Sequence, residues 1–146
     1  VTDSVIQKIA DFKNQIVEMD PQDQGIRQIL NFGHTIGHAL ESYYMNQKME
    51  ISHGKAVAIG LFYETRLSHN LGYLNPNEMN QILETIQCLY PIPIFSNEMV
   101  DQLISFVHQD KKNRSGIVKV TVLKSVGNPI PSISVEEHQL NSILKN

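Results

Sequence analysis

Leu30-Asn31-Phe32-Gly33-His34-Thr35-Ile36-Gly37-His38-Ala39-Leu40-Glu41 is the most informative block in this chain of 146 residues. His34 and His38 are four residues apart, which puts them on one face of a helix. Gly33 and Gly37 stand beside them at the same interval. Glycine inside a helix costs about 1 kcal/mol relative to alanine. Two such costs imply that something approaches this backbone closely, either a packed neighbouring helix or a ligand. The pattern predicts a helix from about Ile26 to Tyr44. On it Arg27 precedes Asn31 by one turn and His34 by two, so a guanidinium, an amide and an imidazole line up on roughly one face.

A polar connection leads to Ser52-His53-Gly54. From about Lys55 to Leu71 the sequence is helical and apolar on most sides, with Ala56, Val57, Ala58, Ile59, Leu61 and Phe62, which marks a buried helix. His53, at the entrance of that helix, is placed to lean toward the one before it. Two histidines on a helix and a third at a helix entrance suit zinc or a similar ion, which favours imidazole nitrogens and commonly takes three protein ligands at catalytic sites. The competing reading is a plain polar helix face. His69, His108 and His138 lack such surroundings and read as surface or structural.

Upstream, Val5, Ile9, Phe12 and Ile16 recur at helical spacing, giving an amphipathic helix from Thr2 to Met19 capped by Thr2 or Ser4. Lys13 interrupts its apolar face. Asp20-Pro21-Gln22-Asp23-Gln24-Gly25 reads as a turn. Downstream, Gly72 closes the buried helix. Asn75-Pro76 opens a fourth helix that runs to about Tyr90, and Cys88 within it reads as a buried packing residue. Pro91-Ile92-Pro93 breaks the chain, and Ser96 or Asn97 caps a fifth helix through about His108. Asp110 to Gly116 is a charged loop containing Lys111 and Lys112. Val118, Val120 and Val122 then alternate with Lys119 and Thr121, as in a strand. Gly127-Asn128-Pro129 leads to a second extended piece near Ile130 to Ser134. Ser134 or Val135 to Leu144 reads as a last helix. The fold class is therefore mainly α with a small β-hairpin, in one domain spanning residues 1–146.

Composition narrows the function. The chain is 41% hydrophobic and 18% charged, with a net charge of −3, as in an ordinary globular domain. Its 12 Lys and Arg are scattered, without the basic patch of a nucleic-acid binder. No apolar run approaches the ~20 residues that cross a bilayer. One cysteine cannot form an internal disulfide, so a reducing cytoplasm is expected. The chain opens at Val1, already in helix-like sequence, as expected of a fragment or processed product.

The block from Leu30 to Glu41 resembles the signature of the 3-dehydroquinate synthases. So does His53-Gly54-Lys55-Ala56-Val57-Ala58-Ile59-Gly60 downstream of it. Lys13 followed by Asp20 and Arg27 also fits, as does Asp110-Lys111-Lys112 before Gly116 and a Val-rich strand. The resemblance implies the multi-helix C-terminal domain of that family's fold. It implies conversion of 3-deoxy-arabino-heptulosonate 7-phosphate to 3-dehydroquinate and phosphate on the shikimate route, with NAD and zinc or cobalt.

By this resemblance His34 and His53 are metal ligands, which changes the pairing that spacing alone suggests. His38 faces the substrate near its phosphate and assists proton movement. Asn31 and Lys112 hold phosphate or ring oxygens. Lys13 and Arg27 engage polar groups, Arg27 the carboxylate. The family's third metal ligand, a glutamate in a Glu-Val-Ile-Lys-like segment, is expected upstream. Glu41, Glu50 and Glu64 do not stand in that context. The NAD-binding domain is expected upstream too, and the whole enzyme as a cytoplasmic homodimer. The chain alone is then expected to be inactive and to hold metal weakly. Lys55 departs from the glutamate usual after His-Gly. Alternatives are another sugar-phosphate cyclase, an iron-type or glycerol alcohol dehydrogenase, or a non-catalytic helical interaction module.

Overall fold

Residues 55–71 are apolar on most sides, and in the computed structural model they form the helix that packs against four other elements. The structure describes residues 2–109 and 117–145. Its elements are α1 (Asp3–Met19), a 3-10 segment (Ile26–Asn31), α2 (His34–Asn46), α3 (His53–Asn70), α4 (Pro76–Leu89), α5 (Asn97–Gln109), β1 (Val118–Ser125), β2 (Asn128–Val135) and α6 (Glu137–Leu144). α3 packs against α2, α4, β1 and α6, and α2 also meets α5. One core results, with Ile36 and Leu40 from α2, Ile59, Tyr63 and Leu67 from α3, and Leu103 and Val107 from α5. Val118, Val120 and Val122 join it from β1, and Leu140 and Ile143 from α6. This mainly helical architecture with one two-stranded antiparallel sheet is the fold class expected.

Local signals explain most element ends. Asn75 Oδ1 accepts from Glu78 N–H at 2.9 Å, with Pro76 at the first helical position of α4. Gly72 adopts φ +80° just past α3, a conformation that other residues rarely take. Ser96 Oγ accepts from Met99 N–H at the start of α5. The hairpin pairs Val118 with Val135 and Val122 with Ile130. Thr121 Oγ1 donates to Gln28 O at 3.0 Å and so ties the hairpin to the 3-10 segment.

Five expectations need correction. Residues 26–44 are not one helix: a 3-10 segment ends at Asn31, and α2 starts afresh at His34 after Gly33 at φ +82°. Arg27 and Asn31 therefore do not line up with His34 along a common helix face. The last helix begins later than Ser134 or Val135, because β2 continues through Val135 and Glu136 forms a capping box with Gln139. The second strand starts at Asn128, earlier than Ile130, directly after a turn at Val126-Gly127 with Gly127 at φ +78°. Cys88 is exposed, because α4 turns Leu83 and Ile86 toward the core and Cys88 away from it. Finally, α1 is the amphipathic helix expected, with Ile16 7% exposed against 44% for Val5, 62% for Ile9 and 56% for Phe12, but the cap expected of Thr2 or Ser4 is missing. Thr2 stands at its N-cap without a side-chain capping bond.

Candidate metal centre

The site starts from three glycines. A Cβ placed on Gly37 would lie 3.2 Å from Val57 Cα, and one on Gly60 would lie 1.9 Å from Gly33 O. One on Gly33 would meet Leu61 at 2.7 Å. What approaches the α2 backbone is therefore a neighbouring helix, α3. Along the close seam the start of α2 lies against Gly60, Leu61 and Glu64 of α3, while His53 at the start of α3 reaches Glu41, so the histidines of both helices share one side of the pair. His34 and His38 sit one turn apart on α2, and His53 is the first residue of α3. Ser52 caps α3 by accepting from Lys55 N–H at 3.4 Å, and the Lys55 side chain is exposed.

The three imidazoles form one cluster. Ring centres are 5.4 Å apart for His34–His38, 5.4 Å for His34–His53 and 6.3 Å for His38–His53. His53 Nδ1 lies 3.0 Å from Glu41 Oε1, and His34 Nδ1 lies 3.3 Å from Phe32 O. Anchoring one ring nitrogen on a carboxylate or carbonyl is how metal-binding histidines are usually oriented. Metal–nitrogen bonds of about 2.0–2.1 Å put the ring centres of two ligands on a tetrahedral ion roughly 5 Å apart. The His34–His53 spacing fits. Among the described residues no set of three His, Cys, Asp or Glu forms a complete metal-holding group.

His38 also lines a cleft of about 560 Å³ between α2 and α5, together with Thr35, Ser42, Asn46, Phe106 and Gln109. Lys112 lies outside the described residues. Lys13 is exposed on α1. Arg27 is half-buried and braces the turn before it: a guanidinium N–H donates to Pro21 O at 3.1 Å, while its backbone N–H donates to Asp20 Oδ2 at 3.2 Å. Asn31 closes the 3-10 segment. The other three histidines have local roles, as expected. His69 meets Leu74 O at 2.9 Å, His108 meets Glu137 at 3.2 Å and His138 meets Glu136 at 3.1 Å.

Two acidic residues matter here that the sequence did not single out. Glu41 orients His53; its signal was its place seven residues after His34, on the same helix face. Glu64 is wholly buried, and its oxygens accept from Gly33 N–H at 2.7 Å and Ile36 N–H at 3.1 Å. Burial pushes its carboxyl from 4.5 up to about 8, against the pull of the Ile36, Gly33 and Thr35 amides. Its signal was a lone acid inside an otherwise apolar stretch.

Comparison with known proteins shows the family. The family described as 3-dehydroquinate synthase C-terminal matches residues 1–113. A 3-dehydroquinate synthase of Parabacteroides distasonis is 42% identical over 128 residues, covering 88% of this chain and 36% of the relative. One from Dehalococcoides mccartyi is 38% identical over 146 residues, covering 99% of this chain and 40% of the relative. The chain thus spans well under half the length of these relatives. Among solved structures, a 2-epi-5-epi-valiolone synthase from Streptomyces hygroscopicus with NAD+ and Zn2+ bound shares the fold at a TM-score of 0.76 and 20% identity, covering 97% of this chain and 38% of that one. A 2-deoxy-scyllo-inosose synthase complexed with carbaglucose-6-phosphate, NAD+ and Co2+ does so at 0.68 and 22%, covering 84% and 34%.

Proposed function

This chain belongs to the 3-dehydroquinate synthase family, and from that premise we propose that it is the helical, metal- and substrate-binding part of a larger enzyme. That enzyme converts 3-deoxy-arabino-heptulosonate 7-phosphate to 3-dehydroquinate and phosphate in the shikimate pathway. The observation that carries the reading is the meeting of His34 and His38 of α2 with His53 of α3, with His53 oriented by Glu41.

His34 and His53 hold zinc or cobalt, together with a carboxylate from outside residues 1–146. When bound, the ion polarises the ring alcohol that is oxidised. NAD binds mainly to a separate domain outside these residues. His38, at the edge of the cleft, assists proton movement near the phosphate. Asn31 and Lys112 hold phosphate or ring oxygens, and Lys13 engages a further polar group. Arg27 keeps N–H donors for the substrate carboxylate beyond the one spent on Pro21. Phosphate loss uses the substrate's own phosphate oxygens as base, so the protein's main contribution is orientation. The single cysteine suits a reducing cytoplasm, and the homodimer is carried over from the family resemblance.

The fold shared with other cyclases supports a second reading, a sugar-phosphate cyclase that makes a different carbocycle. Phosphate release from the heptulosonate phosphate, with NAD and zinc, separates the two. The full-length enzyme is expected to be active, with its His53→Ala variant and residues 1–146 alone inactive. No release by the metal-replete full-length enzyme would overturn the synthase reading in favour of another cyclase substrate. Activity of residues 1–146 alone would overturn the dependence on a second domain.

A further inference from the structure

Glu64 is fully buried in α3, yet the reaction outlined above makes no use of it. Its two oxygens serve two amides of a different helix, those of Gly33 and Ile36. These are open donors at the start of α2, where a helix usually finds an acceptor on the side chain of its N-cap residue. Here that residue is Gly33, which has no side chain, and α2 has no cap of its own. The acceptor comes instead from a residue 31 positions later, across the helix pair. One turn before Glu64, Gly60 makes room for the Gly33 carbonyl, since a Cβ there would lie 1.9 Å from that oxygen. One turn after it, Ser68 Oγ donates to Glu64 O at 2.7 Å and accepts from Leu123 N–H at 3.0 Å, which ties this part of α3 to β1.

We propose that Glu64 is a positioning residue for the metal centre: by holding the Gly33 turn it sets where His34 stands relative to His53. His34 is the residue after Gly33, and His53 begins the helix that carries Glu64. Ligand rings need to be held within about 0.5 Å of their working geometry. A first turn of α2 without acceptors for its amides would not hold one of them so closely. The proposal rests on the reading of His34 and His53 as ligands.

The test is Co2+ binding to the full-length enzyme, read by affinity and by the visible absorption of the bound ion. Glu64→Gln keeps the size of the side chain and one acceptor, and replaces the other by an amide NH2 that cannot accept; binding is read above pH 8, where the Glu64 carboxylate offers both oxygens. Co2+ affinity is expected to fall ~10-fold or more, as when partners of metal ligands are removed, with an altered spectrum. Ser68→Ala is the control: it breaks a buried bond on the same helix but none to α2, and is expected to lower stability while leaving the Co2+ spectrum unchanged. Affinity and spectrum of Glu64→Gln within two-fold of the parent would overturn the proposal. So would an equal change of spectrum in Ser68→Ala. A parent that binds no Co2+ would instead overturn the ligand reading itself. Should Glu64→Gln fail to fold, hydrogen exchange in the parent decides: slow exchange at the Gly33 and Ile36 amides supports the proposal, and unprotected exchange there overturns it.

Discussion

The carbonyl oxygen of Gly33 fills the space that a side chain at Gly60 would need, 1.9 Å from where its Cβ would be. The obstructing atom is backbone, so it cannot swing aside as a flexible side chain would. Gly60→Ala must push α2 and α3 apart, at a cost of about 1–3 kcal/mol or more. Chemical denaturation is expected to show a lower midpoint. Gly54→Ala is the contrast, because nothing lies within 4 Å of a Cβ there. It is expected to leave the midpoint unchanged or raise it by up to about 1 kcal/mol, from helix propensity alone.

Glu41 makes a prediction of the opposite kind, with a large effect on the site and a small one on the fold. Its bond to His53 lies between two accessible side chains, and such pairs contribute about 0–1 kcal/mol to stability. Orienting a ligand imidazole is worth more: loss of such a partner costs about 10–100-fold in metal affinity. Glu41→Gln in the full-length enzyme is expected to weaken zinc binding in a competition titration, with thermal unfolding nearly unchanged.

Stability should depend on pH through Glu64. Burial raises its carboxyl from 4.5 to about 8, so the folded state holds this proton more tightly than the unfolded chain. Its contribution is complete below the unfolded value and is lost as pH rises toward the folded one. The slope is at most about 1.4 kcal/mol per pH unit. Asp20 acts with the opposite sign. The Gln24 and Gly25 amides hold its carboxyl below 3.8, and its contribution is lost as pH falls past that point. Urea midpoints are expected to fall between about pH 5 and pH 8 in the parent, and to fall less in Glu64→Gln.

The uncovered face of α1 should bind an apolar dye. Ile9 and Phe12 are 62% and 56% exposed, beside Val5 and Ile6. Replacing both Ile9 and Phe12 with Lys in residues 1–146 is expected to reduce anilinonaphthalene sulfonate fluorescence several-fold. The unfolding midpoint should shift by no more than ~0.5 kcal/mol per exposed substitution.

How well the sequence could be read varied with the kind of signal. Gly72, Asn75-Pro76 and Ser96 mark helix ends through chemistry confined to a few neighbouring residues, and those boundaries agree with the structure. The alternating valines of β1 and the apolar girth of α3 were equally plain. Gly33 was not. A glycine within a helical pattern looks the same whether it continues the helix or breaks it, and what settles its φ of +82° includes Glu64, 31 residues away. Cys88 was misplaced because its apolar neighbours in sequence lie on another side of α4. The clustering of His34, His38 and His53 was readable from spacing and resemblance, but the carboxylates that support it were not. Glu41 and Glu64 were only set aside as lacking the context of the family's glutamate ligand, whereas one bonds a histidine and the other bonds amides of α2.

The glycine seam between α2 and α3 also bears on how the site can move. Helices packed backbone to backbone at Gly33, Gly37 and Gly60 cannot slide past each other without collision. The pair therefore behaves as a single rigid body carrying all three imidazoles. The mutual arrangement of the rings is thus set by helix packing and not by the conformation of a loop.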